Sequence, residues 1–221
     1  MEALNASTKK NINLKIAIYQ LIVYILAWIG LMIRIFIAII EVGSGTEPVL
    51  YLGDMSSYFT VQTNILVLFW LTLALVYRNH EKKPRIMHPI VHGAICLYIS
   101  GTFVIFAIFL SPYYQPTGIE AVANILMHYI VPLAFILEWF ITELDTQYQY
   151  RYLLYYTIYP LAYLFYTLIR GTITGFYPYW FFDLNNISII QLVINVIFLM
   201  MLFTIIASIY IALNRKIYKS R

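Results

Sequence analysis

One histidine lies inside a stretch that is otherwise long and apolar. His128 falls within residues 121–141, a run long enough to cross a bilayer as a helix of about 20 residues. An ionisable side chain at that depth is costly unless it has a partner or faces a cavity, so it is a functional-site hypothesis by default. Imidazole changes charge near neutral pH and can act as a general base. The alternative is a buried histidine that bonds a carbonyl of a neighbouring helix.

A hydroxyl at a similar estimated depth is the second candidate. Thr60 lies at the start of the apolar run 58–77. A threonine hydroxyl becomes a useful nucleophile when an adjacent base accepts its proton. His128 is the candidate base, because the estimated depths of the two residues differ by about one helical turn. Threonine also commonly caps a helix or bonds its own i−4 carbonyl, and this alternative stays open for Thr60.

Amide side chains in the same half of the predicted bundle are candidates for binding a substrate or stabilising an oxyanion. One helical turn separates Asn124 from His128, so the two share a helix face. Lipid-facing surfaces are aliphatic, and polar faces of this kind are therefore expected to point into the bundle. The amide candidates are Asn64, Asn124, Gln191 and Asn195.

Two arginines fall inside a predicted helix or at its end. Arg34 lies in the first apolar run, and Arg170 ends the fifth. A guanidinium can bind a carboxylate through two parallel hydrogen bonds, which makes both residues candidates for holding an acid group of a substrate. The alternatives are ion pairs with Glu41 or Asp183, or side chains that extend to the membrane surface.

Composition places these residues in a membrane protein. The 221 residues are 62% hydrophobic and 11% charged, with a mean hydropathy of +0.78. Soluble domains carry roughly 45–50% apolar and 25% charged residues. Long unbroken apolar runs predict helices rather than barrel strands, because each span must satisfy its own backbone hydrogen bonds.

The sequence predicts an all-α fold in which residues 1–221 form one membrane domain. Residues 41–57 contain Gly43, Gly45, Pro48 and Gly53 and are predicted to form a loop. Six transmembrane helices are predicted at about 14–40, 58–77, 89–110, 121–141, 152–170 and 187–213.

The basic residues predict the orientation of these helices. Twelve of the fourteen lysines and arginines lie in the N-terminal segment, the second and fourth loops and the C-terminal tail. The positive-inside rule therefore places both termini in the cytoplasm and the candidate site in the outer half of the bundle. The inner half is predicted to be nearly featureless, apart from His88, His92 and Glu138.

Other functions find little support in the sequence. The basic residues are topology signals in short loops, so no nucleic-acid partner is predicted. The single Cys96 excludes an intrachain disulfide, and no carboxylate lies near His88 and His92 in sequence. We expect no metal and no cofactor. No phosphate-binding glycine loop or nucleophile elbow is present.

Three short segments carry a resemblance to a known family. They are Ser57-Tyr-Phe-Thr60, the stretch Asn124-x-x-Met127-His128 with Pro132 and Glu138, and Thr174-Gly175-Phe176-Tyr177-Pro178. Together with the six-helix plan, they resemble the androgen-induced and androgen-dependent family of multi-pass threonine hydrolases and its bacterial relatives. That family hydrolyses fatty acid esters of hydroxy fatty acids. The sequence departs from its pattern where a second histidine is replaced by Ile125 and where the proline lies one position closer to His128.

The resemblance implies a nucleophilic role for Thr60 and a base role for His128. The expected activity is hydrolysis of a lipid ester within the membrane, and the expected localisation is multi-pass in the cell membrane. The rival hypothesis is a non-enzymatic carrier or receptor that binds a small or lipid ligand in the same polar cavity. The sequence predicts no oligomeric state.

Overall fold

The computed structural model describes residues 2–42, 48–143 and 146–219, and it describes side chains from residue 11 onwards except in 41–42 and 48–51. Within these ranges, all regular elements are helical and no strand is present. Its α-helices are Glu2–Val42, Pro48–Ser56, Phe59–Val76, Pro89–Ile105, Gly118–Ile125, Val131–Thr142, Tyr152–Tyr156, Ile158–Thr174 and Ile189–Lys219. Two π-helical segments, Phe106–Leu110 and Leu126–Ile130, and two 3₁₀ turns, Arg85–Met87 and Trp180–Phe182, complete the elements.

The all-helical prediction and the six apolar helices are confirmed. Each is long and apolar enough to cross a membrane, and we number them spans 1 to 6. Their bounds are Asn11–Ile40, Phe59–Val76, Pro89–Leu110, Gly118–Thr142, Tyr152–Thr174 and Ile189–Lys219. The predicted ends agree with the observed ends to within four residues, except at the C-terminal end of span 6, which extends from the predicted 213 to Lys219. Long apolar runs are a strong local signal, which accounts for the agreement.

The predicted loop 41–57 is wrong in its second half. Residues 43–47 lie outside the described ranges, but Pro48–Ser56 is a helix that precedes span 2. Pro48 occupies its first position, where a proline lacks only an N–H that would have no partner in the helix and where its fixed φ suits the helical turn. Pro48 therefore starts a helix here instead of breaking one.

Span 3 lies at the centre of the bundle. It packs against spans 2, 4 and 6, while span 1 packs against spans 2 and 4. Just over half of its most apolar window is buried inside the protein (56%), against 11% for span 6. Close approach of spans 1 and 4 depends on Gly30, where a Cβ would lie 2.9 Å from Cγ of Met127. Span 1 thus contacts both span 2 and span 4, and these two spans also pack against span 3.

Candidate functional site

The helix that carries His128 is locally widened. Residues Leu126–Ile130 form a π-helical turn, and the N–H of Val131 donates to the carbonyl of Leu126, five residues back. In that register the next donor would be residue 132, but Pro132 has no N–H. Single π-helical turns inside α-helices are frequent at functional sites. The widened turn places His128 on the face of span 4 that meets span 2.

Thr60 and His128 lie in hydrogen-bond contact. Thr60 Oγ1 and His128 Nε2 are 3.1 Å apart, although 68 residues separate them in the chain. His128 Nδ1 lies 3.1 Å from the backbone carbonyl of Asn124, which can only accept a hydrogen bond. That carbonyl assigns the proton of the neutral imidazole to Nδ1. Nε2 is then the acceptor, and the Thr60 hydroxyl is the donor.

An aromatic ring holds the imidazole from one side. Phe106 stacks on His128 with ring centroids 3.7 Å apart and an interplanar angle of 23°. Phe106 is itself the first residue of the π-helical segment in span 3. The carbonyl of Asn124 and the ring of Phe106 therefore orient His128 in the way that a carboxylate does in many hydrolases.

Asn64 joins the two helices beside this pair. Its Nδ2 donates to the carbonyl of Thr60 at 2.8 Å and to the carbonyl of Met127 at 3.1 Å. The carbonyl of Met127 is the one that would pair with residue 132 in the π register, where proline offers no donor. Asn64 is completely buried and does not line the cavity described next. Asn64 therefore links spans 2 and 4 and does not face the cavity.

A cavity of about 430 Å³ opens beside Thr60 and His128. Two of the predicted binding residues, Arg34 and Asn124, also line it. Asn124 contributes a buried Oδ1 that has no hydrogen-bond partner among the residues that the structure describes. The lining further includes Tyr58, Phe106, Tyr114, Glu120, Tyr179 and Trp180. The site thus combines a hydroxyl–imidazole pair with cationic, anionic and amide groups.

Arg34 forms an ion pair with an acid other than Glu41 and Asp183, the two that the sequence analysis considered. Its Nη1 lies 3.3 Å from Oε1 of Glu120, which also accepts a hydrogen bond from the hydroxyl of Tyr114. The side chain of Glu41 lies outside the described residues. Both members of the Arg34–Glu120 pair are partly exposed, with 22% and 38% of their side-chain surface accessible. The ion pair is therefore part of the cavity wall and not a buried structural bridge.

The remaining predicted binding residues lie elsewhere. Arg170 pairs with Asp54 on the helix before span 2. Gln191 is exposed and caps the start of span 6 by accepting from the N–H of Ser188. Asn195 donates to the carbonyl of Phe181. None of the three lines the cavity beside His128 among the described residues, so the predicted cluster is only partly assembled.

Tyr179 is a site residue that the sequence reasoning missed. It lies in the loop between spans 5 and 6, directly after Pro178, and lines the cavity beside Thr60. Burial raises the pKa of Tyr179 to about 12, and hydrogen bonding to Thr60 and to the backbone of Phe59 limits the rise. Its hydroxyl is therefore protonated at neutral pH. Among 21 tyrosines, no local sequence signal separates this one from the others.

His92 and Glu138, two of the three residues that the sequence analysis excepted from a nearly featureless half of the bundle, form a second cluster with Glu143. His92 lies between two carboxylates, with Nε2 2.8 Å from Glu138 and Nδ1 2.7 Å from Glu143. Gln20 donates to the second oxygen of Glu138 at 2.7 Å, and Trp70 stacks on the imidazole. The pairing of His92 with Glu138 could in part have been predicted from the sequence. A carboxylate inside a span needs a partner, and His92 is the histidine nearest to Glu138 in estimated depth.

This second cluster is closed. His92 and Glu138 are each 1% exposed, and the hydrogen bonds above engage both nitrogens of the imidazole. Val131 and Phe135, both fully buried, lie between it and His128 on span 4. Within the described residues, no group of three or more histidine, cysteine or acidic side chains has an arrangement that holds a metal ion.

Comparison with known proteins adds nothing to this geometry. The chain matches no protein-family model, no curated protein sequence and no solved structure.

Proposed function

We propose that this chain is a membrane-embedded hydrolase of lipid esters in which Thr60 is the nucleophile and His128 the general base. One observation carries the proposal. Thr60 donates to Nε2 of an imidazole whose other nitrogen bonds a backbone carbonyl, and the pair lines a cavity large enough for a ligand. A nucleophile, its base and a group that orients the base are the recurrent parts of nucleophilic catalysis.

The reaction proceeds in two steps. In the first, His128 Nε2 accepts the hydroxyl proton as Thr60 Oγ1 attacks the ester carbonyl, and the imidazolium then protonates the departing alkoxide. The products of this step are the free alcohol and an acyl ester on Thr60. In the second step, His128 takes a proton from water, the hydroxide attacks the acyl ester, and Thr60 leaves with the proton returned by His128. The net reaction is ester plus water to acid plus alcohol.

The groups proposed to stabilise the developing oxyanion lie beside Thr60 or line the same cavity. Thr60 is the second residue of its helix, where backbone N–H groups have no partner within the helix and the helix dipole favours negative charge. Among the side-chain donors that line the cavity, we assign this role to the protonated Tyr179 hydroxyl and the Asn124 amide. Loss of one oxyanion donor typically lowers kcat by about 10²- to 10³-fold.

The substrate proposed is a fatty acid ester of the hydroxy fatty acid type, which carries a free carboxylate. Arg34 supports this assignment because its guanidinium lines the same cavity. A guanidinium has five N–H donors in a fixed fork. Glu120 accepts through one oxygen at 3.3 Å, so the fork can also bind a substrate carboxylate.

The orientation proposed has both termini in the cytoplasm of the cell and six crossings of its membrane. Of the basic residues behind this assignment, the side chains of Lys9 and Lys10 and the whole of Arg221 lie outside the described structure. Arg78, which follows span 2, and Arg215, near the end of span 6, lie at the end of the bundle away from Thr60. Under the positive-inside rule, the cavity then faces the outer leaflet, from which the lipid ester enters.

The test is ester turnover by purified protein in detergent, together with labelling by a fluorophosphonate probe. Thr60→Ala and His128→Ala are expected to lower kcat by about 10³-fold or more, since the two groups act as a unit. Thr72→Ala, a hydroxyl deletion lower on the same span, is the matched control and retains activity and labelling.

Two results contradict the proposal. If Thr60→Ala and His128→Ala both keep wild-type turnover, the mechanism is wrong. If hydroxy fatty acid ligands raise the unfolding temperature but no ester is hydrolysed, and the effect depends on Arg34 rather than Thr60, the chain is a ligand-binding protein and not an enzyme.

A further inference from the structure

Thr60 lies on the boundary between two spaces of different size and polarity. The first is the polar cavity of about 430 Å³ that His128 lines. The second is an apolar cleft of about 50 Å³ enclosed by spans 2, 3, 5 and 6 and the loop before span 6. Among the described residues, only Thr60, Leu110 and Tyr179 line both spaces.

The position of the base decides which part of an ester lies in which space. His128 must protonate the departing alkoxide, so the alcohol part has to lie on the His128 side of the attacked carbonyl. His128 lines the polar cavity and not the cleft. We infer that the acyl chain binds in the apolar cleft and the alcohol part in the polar cavity, an assignment that rests on the proposed function.

The walls of the cleft limit the length of the acyl chain. Its volume of about 50 Å³ is far smaller than the 430 Å³ of the polar cavity. Phe203 closes one side and packs directly on the backbone of span 3, since a Cβ at Gly101 would lie 2.5 Å from the phenylalanine ring. Phe59 meets the same ring edge to face at 5.9 Å. Met200 on span 6 adds a more flexible part of the wall.

The polar cavity selects the other half of the substrate. It is several times larger than the cleft, and Arg34, Glu120 and Asn124 supply charged and amide groups along its wall. An alcohol with a long or bulky body and an acidic group fits this chemistry. The substrate class is therefore a fatty acid ester of a hydroxy fatty acid in which the acyl chain is the shorter of the two chains and the longer chain lies on the alcohol side.

The experiment measures kcat/KM for two series of esters with wild-type protein and two methionine variants. In the first series, p-nitrophenyl esters carry straight acyl chains of increasing length. In the second, acetate esters carry alcohols of increasing size. Met200→Ala enlarges the cleft. Met201→Ala is the matched control, because the neighbouring Met201 is 54% exposed on the outer face of span 6. Phe203→Leu, which keeps a large apolar side chain, is a second test of the cleft wall.

The expected result is an abrupt fall in kcat/KM, here called the acyl step, at one chain length of the acyl series. Wild-type kcat/KM falls by about 10-fold or more at the first acyl length that exceeds the cleft, as a hydrophobic pocket rejects an extra methylene. Met200→Ala and Phe203→Leu move this step to longer acyl chains, Met201→Ala does not, and no variant alters the alcohol series.

Failure of this inference differs from failure of the proposed function. If hydrolysis requires Thr60 but Met200→Ala and Phe203→Leu leave the acyl step unchanged, or shift selectivity in the alcohol series, the assignment of the cleft is overturned. If Thr60→Ala does not reduce the hydrolysis of any ester, the proposed function itself fails.

Discussion

Replacing Asn64 with leucine removes the side-chain amide that joins span 2 to span 4 beside Thr60. The buried carbonyl of Met127 then loses the donor that Asn64 supplies in place of the N–H missing from Pro132. Leaving such a group unsatisfied costs about 1–3 kcal/mol. The carbonyl of Thr60 is less affected, because it also accepts from Thr63 Oγ1 at 3.1 Å.

The effect on catalysis is expected to exceed the effect on stability. Without the link, the distance between Thr60 Oγ1 and His128 Nε2 is no longer held at 3.1 Å, and a misplacement of about 1 Å can lower the rate by about 100-fold. We expect Asn64→Leu to lower kcat by about 10- to 100-fold, with little change in KM. The measurement is ester hydrolysis at saturating substrate per folded molecule, with thermal unfolding in the same detergent.

Thr63→Val is the matched control. It removes a buried hydroxyl from the preceding position of span 2, together with its bonds to the carbonyl of Thr60 and to Thr102, but no bond to span 4. It is expected to lower stability by about 1 kcal/mol and kcat by much less than Asn64→Leu. The positioning role is refuted if both variants lose the same activity, or if Asn64→Leu unfolds earlier but keeps wild-type kcat.

Three further predictions concern other parts of the fold. Tyr179→Phe should lower kcat by about 10²-fold, measured by ester hydrolysis. In the wild-type protein, the pKa of Tyr179 of about 12 keeps its phenol protonated. A pH–rate profile of the wild-type protein should therefore show no alkaline fall in kcat before that pH is approached. His92→Ala leaves the buried carboxylate of Glu138 without its imidazole partner and should lower the free energy of unfolding by about 3–5 kcal/mol. The value of kcat per folded molecule should not change. A large loss of kcat would show that the two ends of the bundle are coupled. Gly30→Ala places a methyl group against Met127 and should destabilise by about 1–3 kcal/mol, measured by thermal unfolding, whereas an unchanged or raised unfolding temperature would mean that spans 1 and 4 are not tightly apposed.

The second cluster bears on the rival hypothesis of a carrier. A carrier needs a polar route between the two ends of the bundle. His92 and His128 belong to separate polar clusters, because ten residues of span 4, roughly 15 Å of helix, separate His128 from Glu138, and Phe135 between them is completely buried. The polar groups around His92 bond one another and join spans 1, 3 and 4. This arrangement favours a structural role for the cluster over a transport path.

Some properties of this protein follow from the sequence alone because they are local. In the membrane interior, where water is absent, the backbone N–H and C=O groups of an apolar segment must form hydrogen bonds with one another. Each of the six helices is therefore determined within its own segment. The unusual position of His128 follows in the same way, from the cost of an ionisable group among apolar neighbours. The pairing of Asn124 with His128 needs only the periodicity of one helix, although the atom that meets the imidazole is the backbone carbonyl of Asn124 and not its amide.

Only the tertiary structure decided which helices meet and at what rotation. Periodicity places Gln191 and Asn195 on one face of span 6, but the packing of that span turns Gln191 outward and uses Asn195 to hold the carbonyl of Phe181. The contact between Thr60 and His128 depends on the π-helical turn Leu126–Ile130, which precedes Pro132. It also depends on the close approach of spans 1 and 4 at Gly30. These features join residues far apart in sequence, and their geometry depends on the fit of several helices at once, which no single segment encodes.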